Sequence, residues 1–199
     1  MNIKWIFAPA CGMVVLIAWG MVFWGFLAAP LGVFHALPND RVVTAELTGS
    51  GATTGTYFMP WPRATAQEFA AFEAQHKSGP FYRLSYVREG VDPSSPRKLL
   101  TGTLHYLSVA GLATALVWLS GSNSFGRAWA VVFVGGLLGS NLITVGDPVW
   151  FHLPWDYARG VLFYEIVAWF LLGLSVAAVC PKGGKTVAEE ISLKGAGCE

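Results

Sequence analysis

Residues 5–38, WIFAPACGMVVLIAWGMVFWGFLAAPLGVFHALP, contain no Asp, Glu, Lys or Arg. A hydrocarbon core about 30 Å thick is crossed by about 20 such residues in a helix, because lipid offers unpaired backbone groups no water. Residues 5–29 therefore predict a membrane-spanning helix, with Pro30 placed to end or kink it before an apolar tail at 31–37. At about 25 residues the run exceeds the roughly 7 to 15 of a signal-peptide core, so a retained anchor is expected. Ala8-Pro9-Ala10-Cys11 makes no lipoprotein box, since no apolar core precedes it. Ala18, Gly25 and Gly32, spaced by seven, predict a small-residue stripe for close helix contact.

Beyond this run the character of the chain changes. Residues 38–98 hold most of the charges and prolines and predict a small α+β extramembrane subdomain. Asn39 suits the cap of a short helix through Leu47, closed by Gly49-Ser50-Gly51. Residues 54–59 predict a strand that stops at Pro60-Trp61-Pro62, where neither proline can donate to a ladder. Thr65 and Glu68 form a capping box ahead of Phe69, Phe72 and His76, and Gly79-Pro80 ends that helix. Residues 81–88 alternate as a strand, with Tyr82, Leu84 and Tyr86 on one side and Arg83, Ser85 and Arg88 available to water.

Further apolar helices are expected over residues 97–119, 128–145 and 158–180. Gly121-Ser122-Asn123-Ser124 makes the first two of these antiparallel neighbours, and Gly135, Gly136, Gly139 and Ser140 allow close backbone approach. Residues 146–157, with Trp150, Trp155 and Tyr157 around Pro148 and Pro154, predict an aromatic loop lying in the membrane interface. The fold expected is an all-α membrane bundle of four transmembrane helices with the α+β subdomain between helices one and two. Its divisions are 1–37, 38–98, 99–180 and a flexible polar tail at 181–199. Basic residues near the helix ends balance: Lys4, Arg127, Lys182 and Lys185 on one side, Arg41, Arg97, Lys98 and Arg159 on the other. The location expected is the cell (inner) membrane, with termini cytoplasmic and 38–98 periplasmic or extracellular, because loops this long translocate with little regard to charge.

Composition agrees, at 54% hydrophobic, 13% charged and a mean hydropathy of +0.50. A net charge of +1 provides no basic surface for nucleic acid, so membrane lipids and other integral membrane subunits are the partners expected. Cys11, Cys180 and Cys198 show neither a disulfide framework nor a metal-ligand spacing.

Few ionisable groups fall inside the apolar segments, and each is costly there. Glu165 and His105 both sit about two turns inside their helices from one membrane face, with Asn141 toward the same end of helix three. The three could share an intramembrane polar layer, acting as a hydrogen-bond cluster that fixes helix register or as a proton-carrying or ligand site. His35 and His152 would gather at the same face, which raises haem or a transition metal. No cofactor is expected, since a haem needs two facing helical histidines and only His105 lies clearly within a helix. Asp147, Asp156 and Arg159 flank the aromatic loop, where Asp156 and Arg159 suit a salt bridge at the entrance of helix four, or the two acids a carboxylate dyad. No nucleophile elbow, P-loop, HExxH or dinucleotide fingerprint occurs, so no catalytic residue is assigned.

The order of Trp19-Gly20, Leu37-Pro38, Gly55-Thr56-Tyr57-Phe58-Met59-Pro60, Gly79-Pro80 and the aromatic run 150–155 resembles a group of small, functionally uncharacterised bacterial four-helix membrane proteins. The resemblance covers residues 5–180 and implies a shared four-helix architecture without an activity. The function expected is a non-catalytic accessory or structural subunit of a larger membrane complex. The alternative is a small transporter, proton carrier or membrane-bound enzyme working at His105, Asn141 and Glu165.

Overall fold

A computed structural model of the chain describes residues 4–61 and 65–179. The expected tail 181–199, Cys180, Cys198 and Pro62 lie outside the described residues. In chain order the helices are α1 (Lys4–Val22, extended by a wider π-type turn at Phe23–Leu27), α2 (Asp40–Gly49), α3 (Ala66–Ser78), α4 (Pro96–Leu119), α5 (Phe125–Ser140, extended by a π-type turn at Asn141–Val145), α6 (Gly146–Phe151) and α7 (Trp155–Val179). Strands β1 (Gly55–Met59) and β2 (Tyr82–Tyr86) pair antiparallel. The protein is mostly helical, and Trp5–Leu27, Pro96–Leu119, Phe125–Phe151 and Trp155–Val179 are each long and apolar enough to cross a membrane. Two compact units result: His35–Ser94, and a bundle built from the segments on either side of it.

Within the bundle α7 packs most extensively on α5 and also on α1, α1 packs on α4, and α4 touches α5 and α7 more sparsely. Small side chains dominate the core, among them Ala8, Ala110, Ala113, Ala128, Ala168 and Ala177 around Leu16, Val132 and Leu172. This is how helices associate in lipid, where close backbone approach replaces hydrophobic burial as the source of stability. On α1 the packing ridge is Ala8, Gly12, Leu16 and Gly20, four residues apart. A Cβ on Gly12 would stand 2.7 Å from Leu172 Cδ1 and 2.9 Å from Ala110 Cβ. The stripe expected at Ala18, Gly25 and Gly32 is corrected: Ala18 and Gly25 are exposed, nothing lies within 4 Å of a Cβ on Gly25, and Gly32 takes φ +66° in a turn beyond the helix. After Leu27 the chain folds back so that Val33, 3% exposed, sits against Gly160 of α7.

The third of these long apolar helices differs most from its expectation. It starts at Phe125, where the Ser124 hydroxyl accepts from the Arg127 backbone N–H (3.4 Å), and runs on through the π-type turn and α6 to Phe151. The aromatic stretch 146–157 is therefore helical except at residues 152–154. Pro148 is accommodated three residues after the π-type turn Asn141–Val145, where the regular hydrogen-bond ladder is already interrupted, and the helix continues through it. The chain turns instead at His152, in the left-handed region at φ +55°, and α7 starts at Trp155 rather than at Ala158.

In the His35–Ser94 unit the capping box at Thr65 and Glu68 is formed. Asn39 precedes α2, yet its side chain makes no cap bond and its backbone is left-handed at φ +54°. The hairpin register pairs Tyr57 with Leu84 and Met59 with Tyr82. Its open end is tied by Thr54, whose Oγ1 donates to Glu89 Oε2 (2.5 Å) and accepts from the Arg88 backbone N–H (3.0 Å). The Thr54 hydroxyl, then the Glu89 backbone N–H and the Arg88 charge, hold the Glu89 carboxyl below the usual carboxylate range. A depressed folded-state value means that this tie is present above the ordinary Glu range and is lost as pH falls through the lowered value. The protection factor of the Arg88 amide, its exchange rate relative to the intrinsic rate at the same pH, should therefore fall on acidification, and Thr54→Val should return the Glu89 titration, followed by NMR, to the ordinary range. An unchanged titration in that variant would remove Thr54 as the cause.

Candidate functional site

Polar side chains meet inside the bundle around two consecutive residues of α7, Tyr164 and Glu165. Glu165 lies about 15 Å along α7 from Trp155, near mid-height of a 25-residue helix. Its Oε2 accepts from Thr144 Oγ1 at 2.7 Å. Thr144 is 7% exposed and belongs to the π-type turn Asn141–Val145. One turn away, Trp169 Nε1 donates to Ser140 Oγ at 3.1 Å. Gly136, Ser140 and Thr144 thus step by four along α5 against Trp169 and Glu165 of α7, the pattern two antiparallel helices give when they share one ridge.

Tyr164 faces α1 and α4. Its carbonyl accepts from Trp19 Nε1 at 3.0 Å, and the two rings stack with centroids 6.2 Å apart and planes 8° from parallel. Phe23 (5.1 Å) and Trp24 (5.3 Å) complete an aromatic collar around the ring. The Tyr164 and Tyr106 hydroxyls are 3.1 Å apart. Gly20 is what allows this, because a Cβ there would stand 2.9 Å from the Tyr106 oxygen. The two π-type turns, Phe23–Leu27 of α1 and Asn141–Val145 of α5, reach adjacent residues of α7, Phe23 at Tyr164 and Thr144 at Glu165. Such turns insert one extra residue and rotate the side chains that follow, which re-aims them toward a neighbour.

The expected layer of His105, Asn141 and Glu165 is not what assembles. Glu165 is half-buried and bonded to Thr144, whereas His105 and Asn141 are exposed on the outside of α4 and of the π-type turn. His105 contacts the ring of its neighbour Tyr106 at 5.5 Å. Consecutive helical residues differ by about 100° around the axis, enough to turn Tyr106 inward and His105 outward. Of the other candidates, His35 is exposed in the His35–Ser94 unit, Asp147 is half-buried in the first turn of α6, and His152 is exposed at the turn before α7. Asp156 and Arg159 form an exposed salt bridge in the first turns of α7. Exposure and screening leave such a pair little energy, about 0–1 kcal/mol. Among the described residues, no three His, Cys, Asp or Glu side chains come together closely enough to hold a metal ion.

Tyr106, Tyr164 and Thr144 escaped the sequence reading, although a signal for each exists. Tyr106 continues the buried positions Ala110, Ala113 and Val117 at helical spacing. Tyr164 falls between Gly160 and Ala168, and Thr144 extends Ala128, Val132, Gly136 and Ser140, all at steps of four. Chemically, the cluster offers one carboxyl with a single neutral donor and a neutral tyrosine pair. It can hold a proton on Glu165 or lock α7 against its neighbours. No protein-family model, no curated protein and no solved structure matches this chain, so its chemistry rests on these residues alone.

Proposed function

We propose that the chain is a multi-pass membrane protein of the cell (inner) membrane that works as a non-catalytic accessory or structural subunit, packed laterally against other integral membrane subunits. The observation that carries this reading is the exposure of His105 and Asn141 near mid-height of apolar helices. His105 is about 14 Å along α4 from Pro96, and Asn141 about 15 Å from Phe151. Asn141 sits beside Leu138 and Leu142, which are 73% and 74% exposed. A carboxamide facing hydrocarbon has no partner and costs free energy, whereas across a helix interface it stabilises by about 0.5–2 kcal/mol. The orientation that goes with this reading puts the termini in the cytoplasm and residues 38–98 outside.

Native electrophoresis after mild solubilisation tests it. The wild-type chain should migrate in a larger assembly that His105→Ala with Asn141→Leu dissociates without altering helix content. A wild-type chain that migrates alone would overturn the proposal. A second reading is favoured by Glu165, an intramembrane carboxyl held by one threonine at a π-type turn: a proton carrier or small transporter. Under that reading Glu165→Gln abolishes proton-coupled activity in proteoliposomes while the assembly survives, and Thr144→Val shifts the pH profile of that activity. Full activity in Glu165→Gln would exclude it.

A further inference from the structure

Independently of the membrane bundle, the His35–Ser94 unit contains an open cleft of about 660 Å³. Its floor is one face of the hairpin, where alternation and register bring Tyr57, Met59, Tyr82 and Leu84 together. Its walls are Leu47 with the turn 50–53 after α2, and Trp61 beyond β1. The size falls within the usual range of ligand pockets, about 300–1,000 Å³. Among the described residues the lining includes no Asp, Glu, Lys, Arg or His. Trp61 and Tyr82 remain 63% and 45% exposed, an unusual amount of aromatic surface for so polar a segment.

The cleft is held in shape by contacts that leave the Trp61 and Tyr82 rings exposed. Tyr57 OH donates to the Thr53 carbonyl (2.7 Å) and accepts from the Thr53 N–H (3.1 Å). An Arg88 guanidinium N–H bonds the Ala52 carbonyl (3.4 Å), and the Thr48 and Tyr86 hydroxyls lie 3.4 Å apart, so the end of α2 is tied to the hairpin. The lining sets the chemistry of the ligand. Tyr57 has spent its hydroxyl on the protein, leaving a ring face beside Leu47, Met59 and Leu84, a mostly apolar floor on which Tyr82 carries the other ring hydroxyl. Among the described lining residues an ionic ligand would meet no charged side chain, and the nearby Arg88 guanidinium is engaged with the Ala52 carbonyl.

We infer that this cleft binds an uncharged aliphatic chain, of the kind carried by a neutral membrane lipid. The unit continues at both ends into helices apolar enough to cross a bilayer, so such chains are the apolar ligand available to it. Binding removes the exposed faces of Trp61, Met59 and Tyr82 from water, a gain of about 25 cal/mol per Å² of apolar surface covered.

The test is photolabelling of the full chain in phosphatidylcholine nanodiscs with a monoacylglycerol bearing a diazirine in its acyl chain. Label should appear in peptides covering residues 47–61 and 82–84, and excess unlabelled monopalmitoylglycerol should remove it there while general labelling of the spanning helices persists. Leu84→Glu puts a charge on the cleft floor and should cut that label by about tenfold. Trp61→Ala changes an exposed wall residue that the hairpin does not need for folding, and should cut it by about threefold with unchanged circular dichroism. Label confined to the spanning helices, label that excess lipid does not displace, or protection by a neutral oligosaccharide in place of lipid would each overturn the inference.

Discussion

Gly136→Val is expected to lower the thermal midpoint of the detergent-solubilised protein by many degrees or to prevent its accumulation. A Cβ at this position would overlap Cγ and Cδ2 of Trp169 and stand 2.6 Å from its Cε3. The indole cannot slide away without losing the bond from Nε1 to Ser140 Oγ, and α5 cannot retreat without opening its longest shared surface with α7. Overpacking typically costs about 1–3 kcal/mol, and here backbone, ring and hydrogen bond oppose relaxation together, so a value at or above the top of that range is expected. Gly139→Val supplies the comparison, because nothing lies within 4 Å of its Cβ. It replaces glycine in a helix by a residue of better helix propensity and should be neutral or slightly stabilising. Equal midpoints for the two variants would show that α5 does not present Gly136 to α7.

Tyr164→Ala is expected to cost about 3–5 kcal/mol, the range for removing a large aromatic ring from a packed site. The ring is enclosed by Trp19, Phe23 and Trp24 and is half-buried, and its loss would leave a void at the junction of α1, α4 and α7. Tyr164→Phe keeps the ring and loses the bond to Tyr106, so about 1 kcal/mol is expected. If the two hydroxyls serve each other, Tyr106→Phe added to Tyr164→Phe should cost no more than either change alone. Denaturant titration read by tryptophan fluorescence measures all three. A fully additive double variant would show that each hydroxyl has another partner.

The two largest predictions and the cleft fall on residues that differ in how far the sequence announced them. The capping box at Thr65 and Glu68, the stop at Gly79-Pro80 and the alternation of Tyr82, Leu84 and Tyr86 rest on short-range chemistry, and these features appear where that chemistry places them. The uncharged character of the cleft was likewise present in residues 47–61, but its shape was not, because bonds such as Arg88 to Ala52 join positions far apart in the chain. The stretch 146–157 was expected to be a loop because its aromatic rings suit a membrane interface, but the same rings sit equally well on the end of a helix, and α6 carries the first of them directly after the π-type turn.

What the sequence by itself determined is the number and approximate position of the long apolar helices and the solvent they suit, since a charge-free run long enough to cross a bilayer has few other stable uses. It also marked Glu165 as costly wherever it pointed. Only the tertiary structure decided which side of each helix faces inward. In water an apolar stripe identifies the buried face, but in lipid the outer face is apolar too, and hydrophobic periodicity loses its meaning. The information passed instead to rows at steps of four that set small residues between larger ones, Ala8 to Gly20 on α1, Ala128 to Thr144 along α5 and its π-type turn, and Gly160 to Val176 on α7, where the small residues let backbones approach. For that reason the partners of Glu165 and Tyr164 proved to be Thr144 and Tyr106, while His105 and Asn141 face outward.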